Sequence, residues 1–173
     1  MLTLDPLNPL YLVYGCSGLN SERRPQEAIA WARTALEIAP NYWNAHSCIG
    51  AAYRLMGKNA EAIAEYEKAT ALEPVPRVIS ALAYQYAISG RLEQAQKVLA
   101  ELNQLSRKSY VAPIWLATVY VGLGDKEQAL RFLEKAYEER SCMLLSIKSD
   151  PIWAPLRSEP RFIALLKKTG LVK

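Results

Sequence analysis

The sequence predicts an all-α chain, a curved array of antiparallel helix pairs, on three observations. Prolines close three similar stretches, Leu4-Asp5-Pro6, Ile38-Ala39-Pro40 and Leu72-Glu73-Pro74, at a constant spacing of 34 residues. A second ladder, Glu27-Ala28, Glu61-Ala62, Gln94-Ala95 and Gln128-Ala129, recurs at spacings of 34, 33 and 34 residues. Inside each period apolar or small residues return every three or four positions, which is helical spacing.

In chain order, residues 1–8 have the form of a stub, because Leu4-Asp5-Pro6 falls where a preceding repeat would finish. The expectation is that the chain is part of a longer protein, cut near a repeat boundary. Residues 9–42 read as a degenerate first repeat, 43–75 as the second, 76–109 as the third and 110–141 as the fourth. The second shows the logic best. From Trp43 to Met56 the apolar positions Ile49, Ala52, Tyr53 and Met56 mark one helix, and Gly57-Lys58-Asn59 breaks it. Ala62, Ile63, Tyr66, Ala69 and Leu72 mark the next, until Pro74 stops it by lacking an N–H and disfavouring helix at the residue before it. Two helices joined by so short a turn pack antiparallel. Gly50, Ala62 and Ala69 leave room for close approach, and Ile49, Tyr53 and Tyr66 fill the space beside them. One pair leaves an apolar face bare, so pairs must stack, and the stack curves.

Residues 142–173 depart from the period and read as a C-terminal cap. Cys142 to Ile147 continues as a short helix that Asp150-Pro151 ends. Ser158 is the expected N-cap of a last helix opening at Glu159-Pro160, with Phe162, Ile163, Leu165 and Leu166 on one face and Gly170 closing it.

These residues resemble the tetratricopeptide repeat. Its pattern of a bulky residue, Leu-Gly, Tyr, Ala-x3-Phe, Ala and Pro is matched by His46, Ile49-Gly50, Tyr53, Ala62, Tyr66, Ala69 and Pro74. The third copy reads Ile79, Leu82-Ala83, Tyr86, Gly90, Ala95, Leu99 and Leu102. The fourth reads Pro113, Leu116-Ala117, Tyr120, Gly124, Ala129, Leu133 and Ala136. The first is weak in Leu12, Gly15-Cys16 and Leu19, and firm in Ala28, Ala32, Ala35 and Pro40. The resemblance covers roughly residues 9–141 and implies a right-handed superhelical solenoid that binds a protein or peptide in its concave groove. A pentatricopeptide array, which would suggest RNA, has slightly longer repeats and lacks the small-residue and proline pattern. The tail carries a second resemblance. Residues 110–113, 133–140 and 150–162 look like the closing segment of tetratricopeptide regions in bacterial multidomain signalling and transcriptional regulators. That implies a sensory or scaffolding tail.

In this repeat class the first helix of each pair lines the inner curve. Rotating each first helix so that its Tyr53-type residue faces the core turns Ser47, Ala51 and Arg54 toward the groove in the second copy, with Asn44 expected at its rim. The third copy adds Arg77, Ser80, Tyr84 and Ala87, and the fourth Ile114, Trp115, Thr118 and Val121. The first contributes Tyr14 and Ser17. The groove so drawn is aromatic and aliphatic with two arginines. It lacks the Lys/Asn set that clamps a C-terminal carboxylate, so the expected occupant is an amphipathic helix or extended segment with apolar anchors and one or two acidic residues. The alternatives are a structural module that self-associates as a homo-oligomer and a tail that senses a small ligand.

Catalytic chemistry is not expected. His46 is the sole histidine and reads as a satisfied, half-buried side chain, and Cys48, two residues on, points to another side of the helix. The pairs Glu61 with Glu65 and Glu134 with Glu138 read as solvated faces near Lys68 and Lys135. Gly122 to Asp125 is a turn lacking the strand and the Lys-Ser/Thr of a phosphate loop. No cofactor or metal site is indicated. The net charge of +4 is mild and interspersed, so nucleic acid and membrane are not expected partners, and the basic tail (Arg157, Arg161, Lys167, Lys168, Lys173) reads as a solvated helix end. Three cysteines, Cys16, Cys48 and Cys142, lie far apart without CxxC spacing and read as small, buried thiols of a reducing compartment. With no basic and apolar leader at the start, the expectation is a cytoplasmic protein.

Overall fold

The structure is a computed structural model that describes residues 8–172. The stub expected at residues 1–8 lies outside the described residues but for Asn8. The described chain is helical throughout, without a strand among the described residues, and falls into two compact units, the first ending at Val78 and the second beginning at Ile79.

Unit 1 holds two helix pairs, α1 (Pro9–Ser21) with α2 (Pro25–Ile38) and α3 (Trp43–Leu55) with α4 (Asn59–Leu72). Asn8 caps α1 by accepting from the Leu10 N–H at 2.9 Å, and Pro9 takes the first turn, where a missing N–H costs nothing. Both α2 and α4 end one residue before a proline, at Ala39 and Glu73, whose backbones are extended or nearly so. Alanines make the pairs close. Ala28, Ala32, Ala35, Ala45, Ala52, Ala62 and Ala69 have no exposed surface at all. Gly50 goes further: a Cβ there would stand 3.0 Å from the ring of the buried Tyr66. The turns between paired helices need a left-handed residue, which is glycine at Gly57, Gly90 and Gly124 but Arg23 in the first pair. That substitution is part of why the first copy reads as degenerate.

Cys16 on α1 and Cys48 on α3 form a disulfide, with Cα atoms 6.4 Å apart. This corrects the expectation of isolated thiols, and the reason is rotational. Successive first helices run the same way, and equivalent residues about 34 apart point the same way. A separation of 32 falls two short of the period, and two residues turn a helix by about 200°. One sulfur therefore faces forward and the other back, toward each other.

Unit 2 takes up α5 (Pro76–Ile88) from Ile79 onward, then α6 (Leu92–Lys108), α7 (Pro113–Gly122) and α8 (Lys126–Glu138). Gly122 lies against α5, so that a Cβ would meet the Tyr84 ring at 2.9 Å and its Cα at 3.2 Å. The chain then makes two 3-10 helices, Cys142–Ser146 and Pro151–Leu156, and ends in α9 (Pro160–Lys168). Asp150 and Pro151 do not end this region, as expected, but restart it: the Asp150 carboxylate accepts from the Ile152 N–H at 3.0 Å and caps the second 3-10 helix. Glu159, not Ser158, occupies the N-cap of α9. Trp153, Leu156, Phe162, Leu165 and Leu166 bury themselves on the bare faces of α7 and α8. Arg161 clasps α9 to α8, with Nε and Nη2 on the Glu134 carboxylate at 2.9 and 2.8 Å and Nη1 on Glu127 at 2.6 Å. Lys126 reaches Glu159 at 2.7 Å. Glu134 is therefore an ion-pair partner and not a plain solvated face.

Candidate partner-binding face

Charge is divided sharply between the two helices of each pair. The second helices are rich in Glu, Lys and Arg, whereas α1, α3, α5 and α7 contain neither Asp nor Glu. The lasting charges on those four first helices are Arg54 and Arg77, both cationic. Each of these helices therefore contributes no side-chain carboxylate of its own to repel an anion.

In unit 1 the α3 stripe runs Asn44, Ser47, Ala51 and Arg54, three or four residues apart and hence on one side. Arg77, at the start of α5, lies across its upper end. Its guanidinium sits 5.3 Å from the centroid of the Trp43 ring, donates to Asn44 Oδ1 at 2.6 Å, and reaches Ser47 Oγ at 3.5 Å. Burial of the head lowers its pKa from the ordinary value, which for arginine leaves the charge intact at neutral pH. Packing on a ring face and bonding to an amide oxygen hold the fork in one place. On α1, Tyr14 is 64% exposed and Ser17 is exposed as well, beside Leu10 and Tyr11, which are half out of the core. Trp43, Tyr11 and Leu10 were missed by the rotation argument. Trp43 directly precedes Asn44 and could have been found as the aromatic next to the one rim residue named.

The remaining expected groove residues divide. Ser47 is buried beneath Arg77, and Ser80 is buried as well. Tyr84, 9% exposed, is a core residue of unit 2 because Gly122 leaves space for its ring. Thr118 is buried, its hydroxyl donating to the Ile114 carbonyl at 2.9 Å. Ala87, Ile114 and Val121 are buried too. Trp115 is half-buried, packed on the unit 2 core. Of the fourteen side chains assigned to the groove, Tyr14, Ser17, Asn44, Ala51, Arg54, Arg77 and Trp115 keep exposed or partly exposed surface. The other seven serve packing in this conformation.

His46 is held by Glu65, Nδ1 to Oε2 at 2.7 Å, and Glu65 also takes Lys68 Nζ at 2.7 Å. Both His46 and Glu65 side chains are only 14% exposed, so Glu65 ties α4 to α3 instead of facing solvent. Cys48, two residues on, is held in its disulfide. Among the described residues no group of His, Cys, Asp and Glu is gathered for a metal ion, and no helix is long and apolar enough to cross a membrane.

With this geometry in hand, comparison with known families is informative. Residues 43–74 and 86–140, together half of the chain, each match a family model of the tetratricopeptide repeat. The chain is a tetratricopeptide-repeat protein, all-α and built of stacked antiparallel helix pairs. Compared with curated proteins, it finds no match. Tetratricopeptide repeats are typically non-catalytic modules of protein–protein interaction, and that is the general class of function they suggest here.

Proposed function

We propose that the chain is a non-catalytic docking module that binds a partner segment carrying acidic residues between apolar anchors, on the first-helix face of unit 1. Arg77 and Arg54 take the carboxylates, Asn44 holds Arg77 in place, and Tyr14 and Ser17 contact the apolar and backbone parts of the segment. Trp115 is a separate apolar contact on unit 2. The observation that carries this reading is the absence of any carboxylate from the first helices together with a guanidinium fixed on Trp43. The resemblance of the tail supports a setting inside a bacterial signalling or regulatory protein of the cytoplasm.

Selection of a displayed random-peptide library on the immobilised full chain tests it. Selected peptides are expected to combine Asp or Glu with Leu, Ile, Phe or Trp. Arg77→Ala should weaken them at least tenfold, about 1.4 kcal/mol, and steepen as salt is lowered in the parent only. Peptides without acidic residues, or equal binding by Arg77→Ala and the parent, would overturn the assignment.

A further inference from the structure

The pair formed by Cys16 and Cys48 has surroundings that suit two covalent states. Asn20, one turn after Cys16, points its amide at both sulfurs. Its Nδ2 donates to the Cys48 carbonyl at 3.1 Å and lies 3.5 Å from Cys48 Sγ and 3.9 Å from Cys16 Sγ. Ser17 Oγ is 3.9 Å from Cys48 Sγ. Donors aimed at sulfur favour the thiolate, which is the nucleophile when the bond forms and the leaving group when it breaks. The same donors are stronger partners for a thiolate than for the uncharged sulfurs of the bond, so they favour the reduced pair.

The third cysteine points the same way. Cys142 is a free, exposed thiol, which persists where the surroundings are reducing. In such a compartment a disulfide is characteristically a transient, redox-sensing bond.

We propose that Cys16 and Cys48 are a reversible redox clasp that fastens α1 to α3, responding to low-molecular-weight disulfides and thiols. Cys48, 6% exposed, reacts first, and Cys16, with no exposed surface, resolves. The Cys48 thiolate attacks one sulfur of a small disulfide, forming a mixed disulfide and expelling one thiolate. The Cys16 thiolate then attacks Cys48 Sγ and expels the second. The two protons of the protein thiols end on the two departing small thiols. A dithiol runs the sequence backwards and is itself oxidised. In the clasped state α1, with Tyr14 and Ser17 on its exposed side, is covalently fixed to α3; in the open state packing and the Asn20 hydrogen bond to the Cys48 carbonyl hold it. This inference does not depend on what binds that face.

The full chain, equilibrated in buffers of graded reduced and oxidised glutathione, tests the clasp by alkylation under denaturing conditions and intact mass. Oxidised protein should keep Cys16 and Cys48 unalkylated, with Cys142 alkylated or carrying one glutathione by mass; reduced protein should carry three alkylated cysteines, and native protein should cross between the two states reversibly. The bond closes a loop spanning 32 residues, so reduction should lower the melting temperature by on the order of 10 °C. Amide exchange in α1 should quicken at least about tenfold, with α8 unchanged. The double variant Cys16→Ser with Cys48→Ser should melt like the reduced parent in every buffer. Asn20→Leu, which removes the donors from the sulfurs, should need at least about threefold more reducing buffer for half-reduction. Native protein that keeps one reactive thiol in excess dithiothreitol, or three in excess oxidised glutathione, would overturn the proposal, as would an Asn20→Leu midpoint equal to the parent's.

Discussion

The core of unit 1 and the carboxyl end of unit 2 bury their apolar surface with opposite kinds of side chain. The core of unit 1 is built from Ala28, Ala32, Ala35, Ala45 and Ala52 around Cys16, Cys48 and a few larger residues. The end of unit 2 is built from Trp153, Phe162, Leu133, Leu156, Leu165 and Ile147. The difference follows from what each face meets. Inside an array a helix pair meets another pair of the same shape, and small residues let the backbones nest. After α8 the chain forms no pair of that shape but two 3-10 helices and α9. Two 3-10 helices and a nine-residue α9 must cover the faces of α7 and α8 with less backbone, so bulk replaces closeness. The largest test removes that bulk. Phe162 is fully buried, and Phe162→Ala should cost about 3–5 kcal/mol, read as a fall in the urea midpoint. A loss below about 1 kcal/mol would mean that the cap merely decorates the fold.

The converse test adds bulk where closeness is needed. Ala62 on α4 has no exposed surface, and Ala62→Leu should force the helices of its pair apart at a cost of about 1–3 kcal/mol. A melting temperature equal to the parent's would show that small residues are incidental to the nesting.

This contrast also marks where the sequence was legible. The alanine ladder is translational information. Any residue that recurs once per pair occupies the same place in each, so Ala62, Ala95 and Ala129 were read as packing positions and are all fully buried. Which side chains face one another across helices is rotational information, and there the reading was weaker. Cys16 and Cys48 meet because their spacing misses the period by two residues, a signal that a search for CxxC spacing does not contain. Tyr84 was turned toward the groove by a rule that takes each first helix alone. Gly122 on a neighbouring helix opens the space into which its ring packs. The cap is aperiodic, so neither kind of information reached it. A proline after an acidic residue signals a helix end and a helix start equally well, and only the Asp150 carboxylate on the Ile152 N–H decides between them. The arginines of the candidate face could be singled out because charge in otherwise uncharged helices needs no rotation to be noticed.

The smallest effect sharpens the comparison from the electrostatic side. Unit 1 joins its two pairs by a covalent bond, and unit 2 joins α9 to α8 by the Arg161 fork. That fork holds the Glu134 carboxyl below its ordinary pKa, chiefly through the hydrogen bonds from Arg161. A carboxyl whose pKa is lower folded than unfolded stabilises the fold above its unfolded pKa and loses that contribution as pH falls through the folded value. Because both side chains are 41% exposed, solvent screens the pair and its worth is about 0.5–1 kcal/mol. Arg161→Gln should therefore lower stability by that amount at pH 7, and the gap to the parent should shrink as pH falls below about 4. Raising the salt at pH 7 should shrink it as well. If the gap stayed constant from pH 7 to pH 3, the aliphatic stem of Arg161, packed along α8, would be what holds α9, and bulk alone would account for the whole carboxyl end.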